Sequence, residues 1–165
     1  MPHPILKQQM KDKPGEYFSA EELARLGAED PSMAPRIEAA SRAQIAEKVV
    51  LDRVIPATLR KFDFRKSFEY GEDKCYRDVG AVYRWCVFAM LCDDQTMLEN
   101  KLLIWMGIIV RSLNFPGGSE SIRFCYKLLR REMNAALGAP HASMLDPYFA
   151  CAELILPGDE AVNRV

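Results

Sequence analysis

An all-α fold is predicted, on three observations. Apolar residues recur at three- and four-residue intervals along most of the chain. No segment alternates with period two beside turn chemistry. Proline, glycine and Ser or Asp cap signals cut the periodic stretches into about six helices and an N-terminal arm. The 165 residues make about one domain, and a hydrophobic content of 49 % supplies one core without disulfide or metal staples.

Residues 1–16 are polar and broken by Pro2, Pro4, Pro14 and Gly15, which leaves room for a short helix over residues 5–10 as an arm, not a core element. Ser19 and Glu22 form a capping box, because the hydroxyl accepts from the third amide of the helix while the carboxylate reaches back to the cap. The helix they open runs through Leu26 and ends at Gly27. Ile37, Ala40, Ile45, Val49 and Val50 give a second helix over 35–56, stopped by Pro56, and the two pair as a hairpin. Residues 58–74 are charged and aromatic without clean periodicity, and read as a short helical turn and a loop. From Asp73 a long run is apolar on most sides in its second half, as befits a helix through the middle of a globule.

Asp93 and Asp94 break that helix and cap the next. On it recur Leu98, Leu102, Leu103, Trp105, Met106, Ile109, Val110 and Leu113, with Trp105 and Met106 expected in the core. Asn114 and Pro116-Gly117-Gly118 stop it, and Ser119 caps its successor, which carries Ile122, Cys125, Tyr126, Leu128, Leu129 and Met133 and ends near Leu137-Gly138. A last helix covers about 143–156. The domain accordingly spans 17–156, between the arm and a tail over 157–165.

Twenty-two Lys+Arg against 23 Asp+Glu leave a formal charge of -1, without the long-range field of a nonspecific nucleic-acid binder. The longest apolar run, residues 85–92, is far short of the roughly 20 that span a bilayer, and Lys7, Lys11 and Lys13 interrupt any signal-peptide pattern. The five cysteines form no CxxC pair and no Cys/His cluster with zinc spacing, and their odd number in a leaderless chain suggests a reducing compartment. Cys86, Cys92, Cys125 and Cys151 sit among apolar neighbours, as small core residues do. His3 and His141, the two histidines, offer no haem or metal site and no signature of nucleophilic catalysis, and no Lys follows Pro116-Gly117-Gly118-Ser119 to make a phosphate loop. No enzyme is expected. Arg123, Lys127, Arg130 and Arg131 put cations on one helical face, which reads as a solvated face or as a partner contact.

The chemically informative stretch is Asp73-Lys74-Cys75-Tyr76-Arg77-Asp78-Val79-Gly80. Cys75 opens the central helix, where unpaired amides and the helix dipole favour thiolate and Lys74 and Arg77 add positive charge. At about 100° per residue, Cys75, Asp78, Val82, Trp85 and Cys86 share one stripe, with Arg77 and Arg84 on the opposite side. A flat ligand tethered at Cys75 would meet Asp78 one turn on, with Lys74 and Arg77 placed to reach its acidic substituents. The plainer alternative is an ordinary helix cysteine beside a solvated Arg77–Asp78 pair.

The same stretch closely resembles the bilin-attachment motif of α-type phycobiliprotein subunits, the globin-like light-harvesting family of phycobilisomes. Fainter similarity continues through Tyr83-Arg84 and Phe88-Ala89-Met90-Leu91. Tyr17-Phe18-Ser19-Ala20-Glu21-Glu22-Leu23 resembles the start of the family's first globin helix, and Asp146-Pro147-Tyr148-Phe149 with Ile155 its last. The resemblance implies a globin-like phycobiliprotein fold with an N-terminal helical arm, of the phycocyanin and allophycocyanin kind. It implies a thioether from Cys75 to a linear tetrapyrrole, a phycocyanobilin-like bilin. Asp78 is then the acceptor for the inner pyrrole nitrogens, Lys74 and Arg77 the propionate partners, and Tyr83 and Arg84 further chromophore contacts. It also implies a β-type phycobiliprotein subunit as partner against the arm, ring assemblies and linker proteins, and a place on the cytoplasmic (stromal) face of the thylakoid membrane, peripheral to it through the assembly.

The chain departs from the family pattern in several places. Ala81 and Val82 stand where an aromatic pair is usual, the Pro-Gly-Gly-Asn loop before the attachment cysteine is missing, Asp93-Asp94-Gln95-Thr96-Met97 replaces a Gly-rich turn, and residues 157–165 prolong the end. These changes mark a divergent, specialised member. Three functions stay open: a bilin-carrying light-harvesting or excitation-relay subunit, an unpigmented assembly or regulatory module on the same fold, and a thiol enzyme at Cys75, which has only the helix-start argument behind it.

Overall fold

A computed structural model describes residues 3–63 and 71–158, and among these residues no strand occurs. The chain forms α1 (Pro4–Asp12), α2 (Ala20–Glu29), a 3₁₀ turn (Pro31–Met33), α3 (Ala34–Phe62), α4 (Glu72–Cys92), α5 (Gln95–Leu98), a π turn (Glu99–Leu103), α6 (Ile104–Ser112), α7 (Ser119–Leu137) and α8 (His141–Ile155). Central α4 lies between α3 and α8, and α7 packs on both α3 and α8.

The capping box forms as expected: the Glu22 amide donates to Ser19 Oγ at 3.1 Å and the Ser19 amide to Glu22 Oε2 at 2.8 Å. The helix runs past Gly27, contrary to expectation, and stops at Glu29. Gly27 serves close packing instead, since a Cβ there would lie 3.3 Å from Ile37 Cδ1 on α3. Asp30 then caps the 3₁₀ turn by accepting from the Ser32 amide.

Pro56 does not end α3, which continues to Phe62. An interior proline costs about 3 kcal/mol, but Val54 and Ile55, just before it, are almost fully buried, each contributing about 1.5–3 kcal/mol. Tertiary burial outweighs the local penalty. The predicted loop over 58–74 therefore contracts: 58–62 complete α3, Glu72 opens α4, and 64–70 lie outside the described residues.

α4 is buried nearly all round from Val79 onward, as its composition predicts. Tyr83 sits at its centre, fully buried, donating its hydroxyl to the Ala43 carbonyl of α3 at 2.6 Å and meeting the Phe149 ring of α8 edge-on at 5.3 Å. Cys86, Cys92, Cys125 and Cys151 are buried as expected. Asp94 caps α5 by accepting from the Met97 amide at 2.8 Å.

Met106 is buried but Trp105 is 47 % exposed, which corrects its assignment to the core. The π turn accounts for the difference: each i→i+5 bond takes up one more residue than an α turn and shifts the phase of the succeeding helix by about 100°. The apolar pattern of α6 is thereby turned outward at Ile104, Trp105, Ile108 and Ile109. Ser119 caps nothing; Gly118, at φ 56°, holds the cap position and Ser119 is the first helical residue.

Of the cationic run on α7, Arg130 is committed to α8: two bonds of 2.8 Å to Asp146 and one of 3.0 Å to Glu153. Asn134 joins them by donating to Asp146 Oδ1. Helix α1 also packs inward, with Leu6 only 3 % exposed and His3 Nε2 at 3.3 Å from Glu29, so the arm contributes to the core of its own chain.

Replacing Tyr83 with Phe should lower unfolding stability by about 1 kcal/mol, the net worth of one buried hydrogen bond, as measured by urea titration. An unchanged midpoint would remove the hydroxyl from the account of how α3 and α4 lock together.

Candidate functional site

The first two turns of α4 carry Cys75 and Asp78, and both open into one cavity of about 60 Å³. Ile55 and Leu59 of α3, Val110 of α6, and Ile122, Cys125 and Tyr126 of α7 are among the residues that line the rest of it. The site sits where three helices meet because α3, kept helical through Pro56, reaches the start of α4, and α7 packs across α3.

Helix position does not make Cys75 a thiolate. Its thiol is pushed up to about 11, first by burial and then by the charge of Glu72. Glu72 and Asp73 occupy the first turn of the helix and answer its dipole themselves, so the expectation of a thiolate-favouring helix start is overturned. Burial also raises the Asp78 carboxyl. Arg77 pairs with it, Nε to Oδ1 at 2.9 Å and Nη2 to Oδ2 at 3.4 Å, but the Arg77 side chain is 66 % exposed and its pull is screened by water.

The other candidate residues lie elsewhere. Lys74 belongs to the same first turn as Cys75 but does not line the cavity. Tyr83 is spent on Ala43 and Phe149. Arg84 turns to α3, where its Nη1 meets Glu47 Oε1 at 2.9 Å, and the Tyr17 hydroxyl donates to the same oxygen. Trp85 leaves the Cys75 stripe for the arm: its indole lies against Gly15, at φ 75°, and edge-on to Phe88. A Cβ on Gly15 would fall 2.2 Å from that indole, so the close approach requires glycine.

Cys125 and Tyr126 escaped sequence reasoning as site residues. Their spacing marks them as core, and core they are, but the packing of α7 also sets them beside Cys75. No local pattern carries that information.

A helical domain of this topology, with a thiol and a carboxylate one turn apart at the head of its central helix, has the globin-like all-α form of a phycobiliprotein. The sequence model for the phycobilisome protein family matches residues 8–154, and the chain belongs to that family. No curated protein matches it significantly. The family comprises light-harvesting subunits, not enzymes, which generally bind linear tetrapyrroles and assemble with other phycobiliproteins into complexes at the thylakoid surface. Among the described residues no helix is long and apolar enough to cross a membrane.

With its thiol at about 11, Cys75 should react slowly with iodoacetamide at pH 7, and faster by about tenfold per pH unit between pH 8 and 10. Mass spectrometry of Cys75-containing peptides measures this; a rate already level by pH 9 would contradict burial as the controlling factor.

Proposed function

We propose that the chain is a bilin-carrying light-harvesting or excitation-relay subunit of a phycobilisome-type antenna, with the chromophore thioether-linked at Cys75. The observation that carries this reading is the shared cavity: a thiol and a carboxylate, one helical turn apart, open into a largely apolar space. The residues fit the group. Cys75 would hold the group: its S–H would add across an exocyclic double bond of a terminal ring, the sulfur bonding one carbon and the proton passing to its neighbour, so that no oxidant or reductant would be consumed. The raised thiol makes this addition slow without help in deprotonation.

Once bound, an open-chain tetrapyrrole supplies visible absorption. The residues of the chain supply rigidity: Asp78 accepts from pyrrole N–H groups, and Lys74 and Arg77 are the cations nearest the thiol in sequence for propionate binding. Arg77 must then share itself between Asp78 and the ligand. Tyr83 and Arg84, engaged with Ala43 and Glu47, act through the framework of α4 and make no part of this pocket.

As partners we propose a β-type phycobiliprotein subunit, with ring assembly and linker proteins, on the cytoplasmic (stromal) face of the thylakoid. The exposed apolar face of α6 suits such association. The same face favours a second reading, an unpigmented assembly or regulatory module, in which the Arg77–Asp78 pair stays as it stands.

Co-production of the chain with a bilin source and candidate lyases should yield one bilin mass and a visible band, both lost in Cys75→Ala. Tyr83→Phe should retain both. Absence of an adduct with every bilin offered would transfer the assignment to the unpigmented module. Co-production with a β-type subunit should give a heterodimer on size-exclusion chromatography that Ile108→Lys weakens; separate monomers from the unaltered pair would refute the partner.

A further inference from the structure

The groove between α7 and α8 carries an excess of positive charge beside apolar surface. It consists of two adjoining hollows, of about 860 Å³ and about 360 Å³, which share Arg130 and Glu153. Four cations line them, Arg123, Lys127, Arg130 and Arg131, against two carboxylates, Asp146 and Glu153. Arg130 answers both carboxylates, at 2.8 Å and 3.0 Å. Arg123 and Lys127, both exposed, make no ion pair with a described residue. Arg131 has a 3.3 Å contact with Glu132, which also meets Arg53 at 3.3 Å. A further cation stands beside the groove: Lys61 Nζ lies 4.3 Å from the centre of the Phe124 ring, itself part of the wall.

The spacing of these charges defines the partner. Arg123, Lys127, Arg130 and Arg131 follow one another at i, i+4, i+7 and i+8, so the groove meets a cation at every turn of α7. From Arg123 to Asn134 the wall is about 16 Å long at about 1.5 Å per residue, or about three helical turns. Apolar surface accompanies the cations: Leu154 is 54 % exposed, and Phe124, Leu128 and Pro147 line the same groove. The complement is a segment with carboxylates every three or four residues beside an apolar stripe, which is an acidic amphipathic helix. An extended chain repeats every two residues and does not keep this register, and a small anion has no use for the apolar wall. The α6 stripe of Ile104, Trp105, Ile108 and Ile109 presents no charge and asks for different chemistry.

We propose that the α7–α8 groove is a docking surface for an acidic amphipathic helix of a partner protein. Arg123, Lys127 and Arg131 pair with its carboxylates, and its apolar face covers Leu154 and Phe124. Arg130 stays with Asp146 and Glu153 and keeps the two walls in register. The surface is independent of a pigment at Cys75, so failure of the pigment reading leaves it untouched.

The test titrates the full chain with a capped fourteen-residue peptide, stapled as a helix, with leucines along one face and glutamates beside them; a shuffled isomer of equal composition is the control. The wild-type chain should bind the peptide, more weakly as salt is raised, and the isomer at least tenfold more weakly. Arg123→Glu with Lys127→Glu should weaken binding at least tenfold. Lys7→Glu with Lys11→Glu, the same charge change on α1, which lines no part of the groove, should alter it less than twofold. Leu154→Asn should weaken binding about threefold with the salt dependence kept. Hydrogen exchange should slow over 123–134 and 143–154 when the peptide binds. No binding by the wild-type chain, equal binding of the isomer, or equal losses in the two charge-reversed variants each overturns the proposal, and so does protection confined to 104–109. A dimer of the free chain that Arg123→Glu with Lys127→Glu abolishes would make a second copy the occupant and overturn the separate partner.

Discussion

Burial of the second half of α4 is the constraint on which the rest of the molecule depends. From Val79 onward most of its side chains face protein, so α3 and α8 must each present a complementary surface to the same helix. Tyr83 makes that crossing specific, since its hydroxyl reaches a single carbonyl on α3 while its ring meets Phe149 on α8. Ala39, Ala40 and Ala43 keep α3 slim on its buried side. The polar first turns of α4 are left at the periphery, and there the packing stops short of closing, which leaves the cavity.

Helix number, order and most cap chemistry were legible because they follow from local rules. The Ser19–Glu22 box and the Asp94 cap involve residues three apart, and the apolar composition of 85–92 declares a helix buried on every side. Two of the misreadings share a cause, namely that a remote surface reversed a local preference. Pro56 lies inside α3 because its neighbours are buried, and Gly27 lies inside α2 because Ile37 approaches it. Trp105 faces water because a π turn upstream changed the phase of the helix, which no count of apolar residues registers.

The site was legible to the same extent. Cys75 and Asp78 stand one turn apart in sequence, so helical geometry alone puts them together. What helical geometry misjudged was the protonation of the thiol, because desolvation depends on the walls that α3 and α7 bring. Tyr126 was invisible as a site residue for that reason too: 51 positions from Cys75 along the chain, it becomes a neighbour only through tertiary packing.

The outward-turned face of α6 bears on the colloidal behaviour of the chain. A formal charge of -1 provides almost no mutual repulsion between copies, and Ile104, Trp105, Ile108 and Ile109 offer each copy a sticky stripe. A free chain is therefore poorly protected against self-adhesion, and any partner that covered that stripe would act as its solubilising agent. Stoichiometric supply of such a partner would then govern how much of the chain persists in soluble form, with or without an attached pigment.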